Sequence, residues 1–193
     1  QEWLIDQFVL RTGRAVFLVD PAAKTVASTG PFDMSDAETA SSLMALGEAW
    51  GVTLSEDAVA DAASALPVPV DTGGGRIEEL AHPLFLGIPA GDMNQDDLIT
   101  ADLSRTVNFG APGAFTADDL AEGAELTPLL TTGPSPSFID ATEAVTDMTP
   151  QQVLRQYQTE PAPLALAARL SGHLNTAFPQ GAPAFDEPSD PML

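Results

Sequence analysis

The sequence predicts an α/β fold, a layered sheet with flanking helices, and three observations point to it. Leu4, Ile5, Phe8 and Val9 recur at helical spacing, and Gly13 follows where a helix C-terminus favours a residue without Cβ. Residues 15–19 then form an unbroken apolar run closed by Asp20-Pro21, the pattern of a strand covered on both faces. A second strongly apolar strand is expected over residues 163–170. A helix feeding directly into a buried strand is the building unit of α/β architecture. Because the chain opens inside that first helix, it is expected to be an excised piece of something longer.

The remaining elements follow in chain order. Arg11 and Arg14 place positive charge where the first helix ends, complementing its dipole. Residues 20–34 read as a polar connection with Pro and Gly. Ser35 and Glu38 have capping-box spacing and open a second helix expected to reach Trp50, with Leu43, Leu46 and Trp50 on one side and Gly51 as its stop. Residues 57–65 are alanine-rich and fit either strand or helix, with a short strand around Val59 the favoured reading. Gly73, Gly74 and Gly75 mark a turn with strands expected over 76–80 and 83–88. A short helix is expected over 98–105, a strand over 106–109, a loop over 110–113 and another strand over 125–132, followed by a Pro-rich loop over 133–136. Thr149 and Pro150 occupy the N-cap and first helical positions of a helix through Tyr157. Residues 1–178 are expected to form the domain. Residues 179–193 read as a Pro-rich acidic tail in which Pro183, Pro188 and Pro191 oppose regular structure.

Composition narrows the chemistry. The chain carries 28 acidic residues against 7 basic ones, for a formal net charge of −21. Nucleic-acid binding needs lysine and arginine to displace counterions from phosphates, so it is not expected. The absence of cysteine removes disulfides, thiolate metal sites and thiol nucleophiles together. No run approaches the roughly 20 apolar residues of a membrane helix.

Motifs for nucleotide and acyl chemistry are missing. Gly73–Gly75 is not followed by Gly-Lys-Ser/Thr, no Gly-x-Gly-x-x-Gly opens a helix, and no Gly-x-Ser-x-Gly frames a nucleophile, leaving Ser135 and Ser137 in a Pro-rich loop. Asp92, Asn94 and Asp96 alternate like the first half of a calcium loop. The sixth position is Asp97 rather than Gly and the twelfth is Leu103 rather than Glu, so a solvated acidic turn fits better. His82 and His173 show no ligand spacing and read as structural. Asp20 is the most suggestive single residue. It closes an expected buried strand at its carboxyl end, where open α/β sheets bind ligands, although the favoured reading is that it accepts backbone hydrogen bonds in the turn set by Pro21. Trp50 and the Gly110–Gly113 loop complete the candidate ligand region, and no cofactor is expected.

The stretch from Ile5 through Phe8, Gly13 and Arg14 to Asp20-Pro21 resembles the signature "IDxFVLxGGRxLxxVDP" of the gliding-motility-associated ABC transporter auxiliary proteins, the GldG type. Residues 128–135 resemble that family's "PLLxTSPxS" stretch, residues 167–172 with 177–179 resemble "LAARxxGxxxSAFP", and residues 96–103 are of a familiar type there. Thr12 stands where the pattern has Gly, and Gly133 where it has Ser. The resemblance implies a Rossmann-like, flavodoxin- or glutamine-amidotransferase-like domain without the catalytic Cys, here a partial one with a mixed sheet. It also implies an extracytoplasmic, periplasmic position, with membrane attachment only through segments absent from this chain. Partners would be the permease and ATPase subunits of the same transport system. The leading functional expectation is a non-catalytic interaction domain. The alternatives are a small-molecule or carbohydrate binding module near Asp20, Trp50, Gly110 and Gly113, and a metal-dependent hydrolase using Asp20 or the 92–97 cluster.

Overall fold

A computed structural model describes residues 1–23, 40–146 and 148–184. Among the described residues, helix α1 (Glu2–Leu10) is followed by α2 (Met44–Trp50) and nine strands: β1 (Val52–Leu54), β2 (Ala58–Ala60), β3 (Ala65–Asp71), β4 (Ile77–Ile88), β5 (Val107–Gly110), β6 (Phe115–Ala117), β7 (Glu125–Thr131), β8 (Ser137–Ile139) and β9 (Ala165–Ser171). Two short helices, α3 (Ala141–Ala144) and α4 (Pro150–Gln156), lie between β8 and β9. The strands form three sheets, β1-β6-β9-β7, β2-β8 and β3-β4-β5, and every described pairing is antiparallel.

This overturns the expected α/β architecture, the Rossmann-like, flavodoxin- or glutamine-amidotransferase-like layering with a mixed sheet. A parallel crossover needs a dozen or more residues, usually carrying a helix across the sheet face. Here α2, α3 and α4 span 7, 4 and 7 residues, and the sheets close through hairpins and antiparallel returns instead. The run at 15–19 is correspondingly not a buried strand. It is unassigned to any sheet, with Val16 88% and Leu18 92% exposed, while Phe17 turns inward against Trp50 with ring centroids 5.7 Å apart. An apolar run shows that burial would be favourable, but it does not supply the neighbours that would bury it.

Local signals locate several elements well. α4 carries the full capping box: Gln152 Oε1 accepts from the Thr149 amide at 2.7 Å, and Thr149 caps the Gln152 amide. Gly51 ends α2 in the left-handed conformation at φ 71°. The capping box at Ser35 and Glu38 lies outside the described residues. Gly73, Gly74 and Gly75 all have positive φ and form the tip of the β3–β4 hairpin. β4 is one continuous strand through Pro83, where two were expected, and it pairs with β3 on one side and β5 on the other. Pro67 and Pro69 sit in β3 and Pro128 in β7, both outermost in their sheets, where a missing N–H costs no ladder bond. Residues 98–105 form turns rather than a helix.

The core has two parts that share β2. Ala58 and Ala60 face Leu84, Ile139, Ala144 and Val153, and Val59 faces Leu86, Ile88, Leu130 and Leu166. With all three β2 residues fully buried, alanine at 58 and 60 lets β4 and the α3–α4 segment approach closely.

α1 ends in a tight capping turn. The Gly13 amide donates to the Phe8 carbonyl at 2.9 Å and the Thr12 amide to the Val9 carbonyl at 3.0 Å, the paired bonds of a Schellman motif. The left-handed residue is therefore Thr12, at φ 70°, rather than Gly13. Gly13 is required for another reason, since a Cβ there would lie 2.4 Å from the Phe8 carbonyl oxygen. A β-branched residue in the left-handed region is strained. Thr12→Gly is expected to stabilise the protein by about 1 kcal/mol and raise the melting temperature by about 2–4 °C in calorimetry. An unchanged or lower melting temperature would contradict this account of the turn.

Candidate functional site

Asp20 sits at the turn that follows the exposed 15–19 segment. Its Oδ1 accepts from the Ala22 amide at 2.9 Å, its own amide donates to Ser41 Oγ at 2.8 Å, and its carbonyl accepts from the Ser41 amide at 2.8 Å. Burial raises the carboxyl above its ordinary pKa, and the Ala22 amide opposes that rise. The turn brings Pro21 against the Gly110–Gly113 loop: a Cβ on Gly113 would lie 3.0 Å from Pro21 Cδ and 2.6 Å from Leu54 Cδ1. Gly110 ends β5, facing the Phe85 ring. Trp50 is 3% exposed, packed edge-on to Phe17. The fold thus sets Asp20-Pro21 beside Gly113 and Phe17 beside Trp50, as packing contacts.

Asn94 is the pivot of the 92–97 turn. Its Oδ1 accepts from the Asp96 amide at 3.0 Å, its Nδ2 donates to the Pro128 carbonyl at 3.1 Å, and its amide donates to the Leu129 carbonyl at 2.8 Å. These bonds dock the turn on the outer edge of β7, while Asp92 and Asp96 point to solvent. Among the described residues, no group of three or more histidines and carboxylates is placed to hold a metal ion. His82 is buried, with Nε2 2.8 Å from the Met148 carbonyl and Nδ1 accepting from the Leu84 amide at 3.3 Å. His173 is exposed.

The most highly constrained polar groups are three other aspartates. Asp6 is fully buried in α1; its Oδ2 accepts from Thr176 Oγ1 at 2.7 Å and Gln7 Nε2 at 3.0 Å, and its Oδ1 accepts from the Ala177 amide at 3.0 Å. Asp61 follows β2 and is 1% exposed; its Oδ2 accepts from the Gly133 amide and Ser64 Oγ, each at 2.7 Å, and its Oδ1 from the Ala63 amide at 2.9 Å. Asp97 meets Arg169 Nε at 2.6 Å and the Ile99 amide at 2.9 Å. The Ile99 amide first, then the Arg169 guanidinium, hold its carboxyl below the ordinary pKa. Each carboxylate joins segments far apart in sequence. A side chain at 133 would crowd Asp61, since a Cβ there lies 3.1 Å from its Oδ2.

Tyr157 closes the same corner as Asp61. Its hydroxyl donates to the Ser135 carbonyl at 2.8 Å and accepts from the Ala62 amide at 3.2 Å. Burial chiefly, with a smaller push from Asp61, raises the phenol above its ordinary pKa, against the opposing effect of the Ala62 amide. Ser135 enters this corner through its carbonyl. Sequence reasoning missed the roles of Asp6 and Asp61 and read Asp97 only as part of the 92–97 cluster; the signal at Asp6 was an acid inside an otherwise apolar helix, and that signal names no partner.

Two open surface depressions border the helices. One of 410 Å³ runs along α1 past Trp3, Phe8 and Arg11, and one of 370 Å³ lies between α3 and α4 beside Glu143, Met148 and Arg155. Among the described residues, no helix is long and apolar enough to cross a membrane.

Residues 1–191 match the family model described as an ABC-type uncharacterized transport system. No curated protein and no solved structure matches the chain.

Asp6→Ala is expected to destabilise the protein by roughly 3 kcal/mol, because it leaves the Ala177 amide and Thr176 hydroxyl without their charged acceptor. Urea unfolding at neutral pH measures this, and a loss under about 0.5 kcal/mol would show that the α1 junction is not stabilising. The Asp97 contribution carries a pH signature. Its folded pKa lies below the unfolded value of about 3.9, so its stabilisation is complete above that pH and lost as pH falls through the folded value. The stability gap between wild type and Asp97→Asn should therefore be widest at pH 7 and narrow towards pH 3; a constant gap would contradict the ionised pairing.

Proposed function

Because the chain belongs to the auxiliary-component family of ABC-type transport systems, we propose that it is a non-catalytic docking domain of the gliding-motility, GldG type. It works on the extracytoplasmic side of the membrane, anchored through the full-length protein, and binds the permease that associates with the ATPase. The observation that supports this reading is how the stretches resembling that family use their polar groups. Asp6 is spent on Thr176 and Ala177, Asp97 on Arg169, and Thr132 on Leu164, whose amide donates to Thr132 Oγ1 at 2.9 Å. These groups fix the shape of the domain, and the free chemistry left on its surface is apolar and acidic, suited to contact.

The other readings have less support. A sugar would need an open aromatic face, and Trp50 is buried and covered by Phe17. Divalent-metal hydrolysis through Asp20 or residues 92–97 would need converging ligands, and among the described residues no group of three or more histidines and carboxylates is placed to hold a metal ion.

Purification through a tagged permease tests the docking role. The full-length protein is expected to co-purify with permease and ATPase, and a version lacking residues 1–178 to be lost from the complex. Recovery of the deleted version at the wild-type level would refute the reading.

A further inference from the structure

The loop that begins at Asp97 displays apolar side chains on a rigid support. Asp97 and Thr100 are buried, and the Asp97 carbonyl accepts from the Thr100 amide at 3.1 Å and the Ala101 amide at 2.8 Å. Thr100 Oγ1 donates to the Asn94 carbonyl at 2.5 Å, and the Asp97 carboxylate is fixed by Arg169 and the Ile99 amide. Between these anchors Leu98 is 96% and Ile99 57% exposed. A loop held this firmly keeps two large apolar side chains in water, where a flexible one could fold them inward. Holding them in advance lowers the ordering cost of binding.

The surroundings select the occupant. Asp92, Asp96 and Asp102 are exposed on the same segment, with Arg105 the cation there, and the whole chain carries −21. A second copy would set these aspartates against their own kind, and an anionic lipid surface would repel them. We infer that Leu98 and Ile99 form an apolar knob that seats in a protein pocket rimmed by lysine or arginine, carried by the permease. This rests on the docking reading and specifies its contact point. The aspartates steer the approach and the two apolar side chains hold the complex, as central desolvated anchors do at interfaces.

The test measures binding of the full-length protein to its detergent-solubilised permease by interferometry. The double variant Leu98→Ser, Ile99→Ser is expected to bind at least about tenfold more weakly while keeping the wild-type melting temperature, since both side chains are exposed. Asp96→Asn with Asp102→Asn is expected to slow association and flatten its salt dependence. Wild-type affinity in the serine variant would overturn the knob while leaving the docking role standing, whereas failure of the wild-type protein to bind the permease would overturn both. Sedimentation of the protein alone supplies a further arm: a wild-type dimer abolished by the serine variant would assign the knob to a second copy. Anionic vesicles supply another, in which binding lost with the same variant would assign it to lipid. Either result overturns the permease pocket.

Discussion

A carboxylate placed inside a protein must be surrounded by donors, because stripping it of water without compensation costs several kcal/mol. Asp6 meets this demand with the Thr176 hydroxyl, the Ala177 amide and the Gln7 side chain, and so it sets the rotation of α1. The helix turns its acid inward and leaves Leu4 and Phe8 exposed, the reverse of what its apolar spacing suggests. Asp61 and Asp97 impose the same discipline elsewhere. The first fastens the end of β2 to the loop after β7, and the second fastens the turn before β5 to β9. Three carboxylates thereby hold together segments that the short sheets alone would leave loosely connected.

The small sheets make this fastening necessary. Several strands are three or four residues long, and β2 and β8 form a sheet of just two strands. Their stability comes from two apolar clusters packed on either side of β2, and from bonds between sheets, such as the Asp61 amide to the Pro83 carbonyl at 2.9 Å. Outer strands are shielded in ways that discourage indiscriminate pairing. β3 carries two prolines, and β7 is covered by the Met93–Asn94 turn.

As an auxiliary component of an ABC-type transport system, the domain keeps its motif residues for architecture. That division suits a docking module. Polar groups locked into intramolecular bonds hold a constant surface, and recognition is left to what projects from it. The charge of −21 opposes contact between like surfaces and favours contact with basic ones.

Elements governed by chemistry within a few residues were legible in the sequence. The Thr149-Pro150 start of α4, Gly51 after α2, the triple-glycine hairpin tip and the strands near 125–131 and 165–171 all carry their own instructions, while the alanine-rich stretch around Val59 fitted strand or helix until its neighbours were in place. The turn at Asp20-Pro21 was also readable, because an aspartate bonds the amide two residues on. Sheet direction, the short strands β6 and β8, the exposure of residues 15–19 and the partners of Asp6, Asp61 and Asp97 were decided only in three dimensions. Strand pairing and carboxylate satisfaction depend on groups brought together from distant positions: 170 residues separate Asp6 from Thr176. The sequence shows what each side chain requires, and only the folded chain determines which neighbour meets that requirement.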